Sequence, residues 1–196
     1  MSIKSKMIKD RDIREVLFKT ELTRHANVPG TLVIEELGLC QGAARVDIAV
    51  LNGHLTGYEI KSEADTLERL TLQRDIYERV LDFVTLVGYT DHLAKVDALV
   101  PQWWGIIEVY RNEDDNLQLR EVRPPQRNKT QDGLALAQLL WKQEVVDILK
   151  GLGQVFPRHF TRAKLWEQLS MAIEIDELSA IVRQTLKQRK NWRVAL

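Results

Sequence analysis

The sequence has little of what stabilises secreted or membrane proteins. Its 196 residues contain one cysteine, Cys40, so an internal disulfide is excluded and a reducing cytoplasm is expected. No apolar run is long enough to span a bilayer, and the basic N-terminus lacks the apolar core of a signal peptide. Lys plus Arg and Asp plus Glu number 28 each, so net charge alone points to no partner. We therefore expect a cytoplasmic globular protein without membrane association.

The charges are nevertheless unevenly distributed. Residues 151–196 carry eight Lys or Arg against four Asp or Glu, and this surplus makes the segment the better candidate for contact with a polyanion. Within it, Arg183, Lys187 and Lys190 share the outward face of a predicted helix. A solvated helix face is the ordinary explanation, and contact with nucleic acid is the functional alternative.

Hydrophobic periodicity predicts an α/β fold for the first part of the chain. It favours a mixed sheet of four to six strands, because the order strand, helix, strand is typical of a parallel crossover unit. A helix capped by Asp65 or Thr66 is expected to join two of these strands. The predicted helices span residues 10–22, 66–81 and 91–100, and the predicted strands span 31–37, the hairpin 45–61, 83–89, 103–110 and 117–122.

Pro124-Pro125 and the polar residues after them mark the best boundary in the chain. We therefore divide the chain into a core (1–123), a linker (124–132) and a helical appendage (133–196) that binds nucleic acid or a partner. Amphipathic patterns predict three helices in the appendage, over residues 134–149, 161–173 and 176–190.

The hairpin of residues 45–61 carries charges where apolar residues are expected. Asp47 interrupts its first strand, and Glu59 and Lys61 lie two apart on one face of its second strand. Such groups are costly in apolar strands unless a metal ion or a substrate compensates them. Carboxylates from adjacent strands suit Mg²⁺ or Mn²⁺, and a lysine beside the ion can position or deprotonate an attacking water.

The turn of the hairpin decides whether these charges share a face. A two-residue turn at Asn52-Gly53 places Asp47 and Glu59 on opposite sides of the sheet. A three-residue turn, or a bulge at Gly57, shifts the register by one residue and brings the two carboxylates opposite each other. We predict an irregular hairpin, and a regular one would rule out a shared metal site.

Asp47 followed by Glu59-Ile60-Lys61 in a hairpin resembles the PD-(D/E)xK nuclease superfamily, although Val46 replaces the proline of the motif. The next helix carries Gln73-Arg-Asp-Ile-Tyr77, which resembles the QxxxY motif of the RecB-like and lambda-exonuclease-like branch. The similarity covers roughly Glu15 to Tyr110 and includes strings typical of a bacterial group within the superfamily. It implies a restriction-endonuclease-like αβββαβ core followed by a C-terminal helical region.

The resemblance also implies roles for individual residues. Asp47 and Glu59 would ligate Mg²⁺ (or Mn²⁺), and Lys61 would serve the attacking water. Gln73 and Tyr77 lie four apart on one helical face and would support the site or the DNA end. For the additional acid, which the family fold often takes from its first helix, we choose Glu36 as a metal ligand ahead of Glu15 and Glu21. The expected function is metal-dependent hydrolysis of phosphodiester bonds in DNA, with RNA left open.

Structural explanations compete with this functional one. In the structural alternative, Glu59 and Lys61 form an ordinary pair on the solvated face of an edge strand. Gln73 and Tyr77 are then a buried polar pair that bonds to the backbone. Arg45 either holds a phosphate or pairs with a nearby acid. The functional alternative is a nuclease-like DNA-binding or assembly module with little or no turnover. The oligomeric state is open, with a homodimer as one alternative.

Overall fold

The computed structural model describes residues 7–190 and Trp192. Its helices are α1 (Asp10–Leu17), which continues through a π-helical turn (Phe18–Leu22), α2 (Thr23–Ala26), α3 (Leu70–Tyr77), α4 (Thr90–Leu99), α5 (Gly133–Ala137), α6 (Lys142–Gly151), α7 (Arg162–Ala172) and α8 (Ile175–Gln188). Its strands are β1 (Leu32–Leu39), β2 (Ala44–Leu51), β3 (Leu55–Lys61), β4 (Phe83–Tyr89), β5 (Gly105–Arg111) and β6 (Leu117–Arg123).

The six strands form one mixed sheet in sequential order from β1 to β6. The first three strands are antiparallel to one another, because short turns connect them. Strands β3, β4 and β5 are parallel, and β6 returns antiparallel to β5. The prediction of an α/β fold with a mixed sheet is confirmed, and the order α1, β1–β3, α3, β4 follows the expected αβββαβ sequence of elements.

Two hydrophobic clusters cover the two faces of the sheet. On one face, Ile13 and Leu17 of α1 pack with Ile48 and Ile60, because alternate residues of a strand point to opposite sides. The cluster on the other face contains sheet residues such as Leu86 together with apolar residues of α3, α5, α6, α7 and α8. The described part of the helical region therefore shares one core with the sheet. Within the same described residues, no helix is both long and apolar enough to span a membrane.

Helix α3 is shorter than the predicted 66–81. The Asp65 carboxylate accepts hydrogen bonds from the backbone N–H and the Oγ–H of Ser62, at 2.7 and 2.6 Å. Asp65 thus closes a turn with a residue that precedes it and does not cap a helix. At the other end the chain leaves α3 after Tyr77 and enters β4 at Phe83.

The helix predicted over 134–149 is two helices, so the described helical region contains four and not three. The chain leaves the helical conformation between α5 and α6, where Trp141 adopts extended backbone angles. The Glu144 carboxylate accepts from the backbone N–H of Trp141 at 2.6 Å and so starts α6. The break leaves the Trp141 side chain 59% exposed. The predicted appendage also includes Asn191 and residues 193–196, which lie outside the described residues.

The predicted linker, residues 124–132, is an extended segment bonded to the connection between α3 and β4. The backbone N–H of Asn128 donates to the Asp82 carbonyl at 2.8 Å, and that of Asp132 donates to the Arg79 carbonyl at 2.9 Å. The buried Asn128 side chain donates to the Leu81 carbonyl at 2.9 Å. These bonds attach residues 128–132 to the connection between α3 and β4.

Candidate functional site

The β2–β3 hairpin has the irregular turn that the sequence predicts. Leu51 pairs with Leu55, so three residues form the turn, and the paired register ends at Ile48 and Tyr58. Beyond that pair, the Asp47 carboxylate and not a backbone carbonyl accepts from the Ile60 N–H, at 2.7 Å. The prediction of an irregular hairpin is confirmed, and of its two alternative forms the structure has the three-residue turn.

Glu59 is the centre of a buried polar network. Its Oε1 accepts from the Lys61 ammonium at 2.7 Å and from the Gln73 amide at 2.7 Å. The carbonyl oxygen of Gln73 accepts from the same ammonium at 3.2 Å. Glu59 is 2% and Lys61 6% exposed, and β3 lies between β2 and β4. The interpretation of an ordinary solvated pair on an edge strand is therefore wrong.

Tyr77 anchors the other side of Glu59. Its hydroxyl lies 2.6 Å from Glu59 Oε2 and 2.7 Å from the carbonyl oxygen of Arg45. Burial, together with the Glu59 carboxylate, raises the pKa of Tyr77, so the hydroxyl keeps its proton and donates it. Helix α3 thus positions Gln73 and Tyr77 on the same carboxylate, as their spacing of four residues predicts.

Asp47 is held on its other side by Arg14, which sequence reasoning missed. The Arg14 guanidinium lies 3.1 Å from Asp47 Oδ1, 3.0 Å from Glu36 Oε1 and 2.6 Å from Asp10 Oδ1. Burial works to lower the pKa of Arg14, but its pairs with the acids raise it overall. One cation of α1 therefore bridges acids from α1, β1 and β2.

The Asp47 carboxyl is unusually weakly acidic. Burial is the main cause, and the charge of Glu59 adds to it, while the bond from the Ile60 N–H and the Arg14 charge act in the opposite direction. Together these effects raise the pKa of Asp47 to about 7. Two carboxylates held close enough to repel each other are a feature of sites that bind cations or transfer protons.

Glu36 lies in a distorted part of β1. Its backbone has a φ of +58°, which is uncommon for a residue with a side chain and is often associated with function. It is also the residue at which the ladder with β2 is interrupted between Glu35 and Leu37. Its carboxylate contacts Arg14 at 3.0 Å and Arg45 at 3.5 Å, so Arg14 stands between Glu36 and Asp47.

These side chains, except those of Arg14 and Tyr77, line one cleft of about 410 Å³. Its wall includes the predicted site residues Glu36, Arg45, Asp47, Glu59, Lys61 and Gln73, and also Asp10, Asp65 and Arg69. We call it the acidic cleft, because five carboxylates line it. The two alternative acids do not: Glu15 pairs with Lys19 in solvent and Glu21 lies near Arg24. Asp10 is the acid that the first helix does supply, and only its place at the start of an amphipathic helix could have signalled it.

The donors fit a hard cation, although the described residues contain no cluster of three or more His, Cys, Asp or Glu arranged for a metal ion. Asp47 and Glu59 offer carboxylate oxygens to the same cleft. Mg²⁺ is commonly held by one or two carboxylates and keeps several waters. A cation there would also relieve the repulsion that raises the pKa of Asp47.

The candidate nucleic-acid contacts fall into two groups. Arg45 lines the acidic cleft with a side chain that is 66% exposed. Lys187 is half-buried on α8, whereas Lys190 is exposed just beyond the C-terminal end of that helix. Arg183, by contrast, does not point outward: it contacts Ser179 and lies 3.5 Å from the fully buried Asp82. The prediction of an outward Arg183 is wrong, because the buried Asp82 carboxylate needs a cation from α8.

Replacing Arg183 with alanine is therefore expected to destabilise the fold. Removing one partner of a buried pair leaves an uncompensated charge, so the free energy of unfolding should fall by about 2–4 kcal/mol in urea titrations. Lys190→Ala, at an exposed position just beyond the end of α8, serves as the control and should change this free energy by less than about 0.5 kcal/mol. Equal stabilities of the two variants would contradict the role of Arg183.

Comparisons with known proteins give three findings. A family model described as Bacteriophage P4 protein cII matches residues 4–194. Protein cII of Enterobacteria phage P4 is 22% identical over 185 residues, which cover 94% of this chain and 69% of that protein. A solved structure, the SPO1766 protein of unknown function from Silicibacter pomeroyi, is similar with a TM-score of 0.44 and 20% identity, over 66% of this chain and 77% of that one.

Proposed function

The chain belongs to the bacteriophage P4 protein cII family, and we propose that its acidic cleft is a PD-(D/E)xK-type active site that hydrolyses phosphodiester bonds in DNA. One observation carries the proposal. Lys61, Gln73 and Tyr77 contact the buried Glu59 carboxylate, and the carboxylate of Asp47, from the neighbouring strand, lines the same open cleft. This is the set that the resemblance to the nuclease superfamily requires.

Each side chain has a task in the proposed reaction. Asp47 and Glu59 would hold Mg²⁺ (or Mn²⁺), which supplies an acidified water and stabilises charge on the phosphate. Gln73 and Tyr77 fix the orientation of Glu59, so that its oxygens stay aimed at the cleft. The Lys61 ammonium donates to Glu59 and Gln73 and has a third N–H for the attacking water or the phosphate.

Positive side chains at the cleft would hold the DNA backbone. Arg45 and Arg69 line the cleft and are exposed, and exposed arginines bind phosphates with two N–H groups at once. We further propose that the protein acts in the cytoplasm, where the half-buried thiol of Cys40 stays reduced.

A second candidate function is a nuclease-like DNA-binding or assembly module with little or no turnover. One observation favours it: protein groups already contact all four carboxylate oxygens of Asp47 and Glu59. Arg14 and Lys61 compensate these charges without a metal ion. Mg²⁺ would have to share these carboxylates with the two cations, whose positive charges oppose its binding.

A panel of DNA substrates separates the two functions. Purified protein is incubated with single- and double-stranded DNA, linear and circular, in Mg²⁺, in Mn²⁺ and in EDTA, and the products are resolved on denaturing gels. We expect cleavage in the presence of either metal and none in EDTA. Cleavage that continues in EDTA would contradict the metal-dependent mechanism. Metal-independent binding without any cleavage would replace the enzyme with the binding module.

A further inference from the structure

A second cleft, of about 360 Å³, lies beside the acidic cleft. It opens between the β1–β2 connection and the helical region. Its wall is rich in tryptophan and arginine, and we call it the aromatic cleft. The residues that define it are Trp141, Trp166, Trp192, Arg162 and Arg189.

Guanidinium groups stack on the indole rings of this cleft. Arg189 lies 4.3 Å from the ring centroid of Trp141 and 5.3 Å from that of Trp192. Two bonds to Glu144, of 2.7 and 2.6 Å, hold Arg189 in place. Trp141 remains 59% exposed in spite of this stack. The arrangement leaves a rigid, partly open aromatic surface, which is what a nucleobase needs for stacking.

Arg162 adds an uncompensated positive charge. Its guanidinium lies 4.6 Å from the ring centroid of the buried Trp166 and donates to Gln41 Oε1 at 3.1 Å. Within residues 7–190, no carboxylate forms an ion pair with Arg162. The side chain is exposed and so can contact a phosphate. A cation next to an open indole favours nucleic acid over an apolar peptide as the occupant.

The two clefts are lined by neighbouring residues of one turn. Gln41 lines the aromatic cleft, whereas Gly42 and Arg45 line the acidic cleft. The turn that divides them is strained, because Cys40 and Gln41 have φ values of +46° and +60°, a region that side chains disfavour. The backbone of this turn places the Gln41 amide against Arg162, while Gly42, the next residue, borders the acidic cleft. Strain of this kind is concentrated at functional sites.

We propose that the aromatic cleft binds unpaired bases of the strand whose phosphate enters the acidic cleft. The substrate class would then be DNA with a single-stranded end or segment, because a base within a duplex has both faces covered by its neighbours. The continuity of the strand into the acidic cleft rests on the proposed nuclease function. Binding of the bases in the aromatic cleft does not depend on that function.

Binding of a fluorescent oligothymidylate in EDTA tests this proposal without any cleavage. Fluorescence anisotropy of the full chain should show affinity for the oligonucleotide that falls about 5- to 100-fold in Trp141→Ala. Trp141→Phe, which keeps an aromatic ring, should retain most of it. Arg162→Gln should weaken binding and flatten its dependence on salt. A blunt duplex should bind more weakly, and Trp141→Ala should not alter its affinity.

Two exposed positions outside the cleft provide the controls. Met171→Ala removes an apolar side chain that is 85% exposed, and Arg127→Gln removes an arginine that pairs with Asp176; both should leave the affinity unchanged. Equal affinity of the wild type and a folded Trp141→Ala would overturn the proposal. If Trp141→Ala does not fold, the result for Arg162→Gln decides.

The outcomes separate this proposal from the proposed nuclease function. A complete lack of oligonucleotide binding would overturn the proposal and leave the cleft to a protein partner. Binding that depends on Trp141, without cleavage in Mg²⁺, would support the aromatic cleft and contradict the nuclease. Cleavage in Mg²⁺ by a protein whose binding does not depend on Trp141 would support the nuclease and contradict the role of the aromatic cleft.

Discussion

Replacing Lys61 with alanine is expected to reduce Mg²⁺-dependent DNA cleavage by about 10²- to 10⁴-fold, the range for loss of a residue that positions or transfers a proton. The ammonium of Lys61 lies 2.7 Å from Glu59 and lines the acidic cleft, so no other described side chain has the same place. Initial rates of product formation under saturating DNA measure the effect.

The variant also removes the cation beside a buried carboxylate, so folding must be checked separately. Lys61→Met keeps the aliphatic volume, and circular dichroism with thermal melts shows whether either variant is folded. Lys129→Ala removes an exposed lysine and should cleave at the wild-type rate. A folded Lys61→Ala that cleaves as fast as the wild type would exclude Lys61 from the reaction.

Replacing Asp47 with asparagine is expected to abolish cleavage and yet stabilise the protein without metal. The pKa of Asp47 is about 7 when folded, against an ordinary 3.8, so between these values the folded state binds more protons than the unfolded state. Stability is therefore lost as the pH rises through this window and stays lowered above about 7. Asparagine carries no charge, so the variant should gain about 1–3 kcal/mol at pH 8.

Urea titrations in EDTA at several pH values measure this gain. It should be small near pH 4 and reach its plateau above about pH 7, whereas Asp147→Asn, an exposed control, should change stability by less than about 0.5 kcal/mol at every pH. Adding Mg²⁺ should raise the melting temperature of the wild type, because a ligand that binds only the folded state stabilises it. A difference in stability between Asp47→Asn and the wild type that does not change with pH would contradict the raised pKa of Asp47.

Local patterns predicted most of the fold and the centre of the site. Alternation of apolar residues located β2 and β3, and the same alternation showed that a regular two-residue turn keeps Asp47 and Glu59 apart, whereas the three-residue turn brings them together. Helical spacing paired Gln73 with Tyr77. These features depend on neighbours in the sequence, so the sequence alone is enough to find them.

Features that depend on distant residues were missed. Arg14 lies 33 positions before Asp47, and nothing in α1 distinguishes it from an ordinary exposed arginine. Arg183 looked solvated because the buried carboxylate of Asp82, 101 positions away, is not visible in the helix pattern.

One error was local. Helix α3 was predicted too long because Asp65 suits a turn as well as a cap.

The bonds between residues 124–132 and the α3–β4 connection determine where the chain can be truncated without loss of folding. A chain ending at Arg123 would lose the partners of the Leu81 and Asp82 carbonyls and uncover the apolar face formed by Leu86 and Trp104. Such an exposed sheet face is prone to aggregation. The shortest useful expression product is therefore expected to include α8, and residues 1–123 are not expected to fold alone despite the Pro-Pro boundary after them.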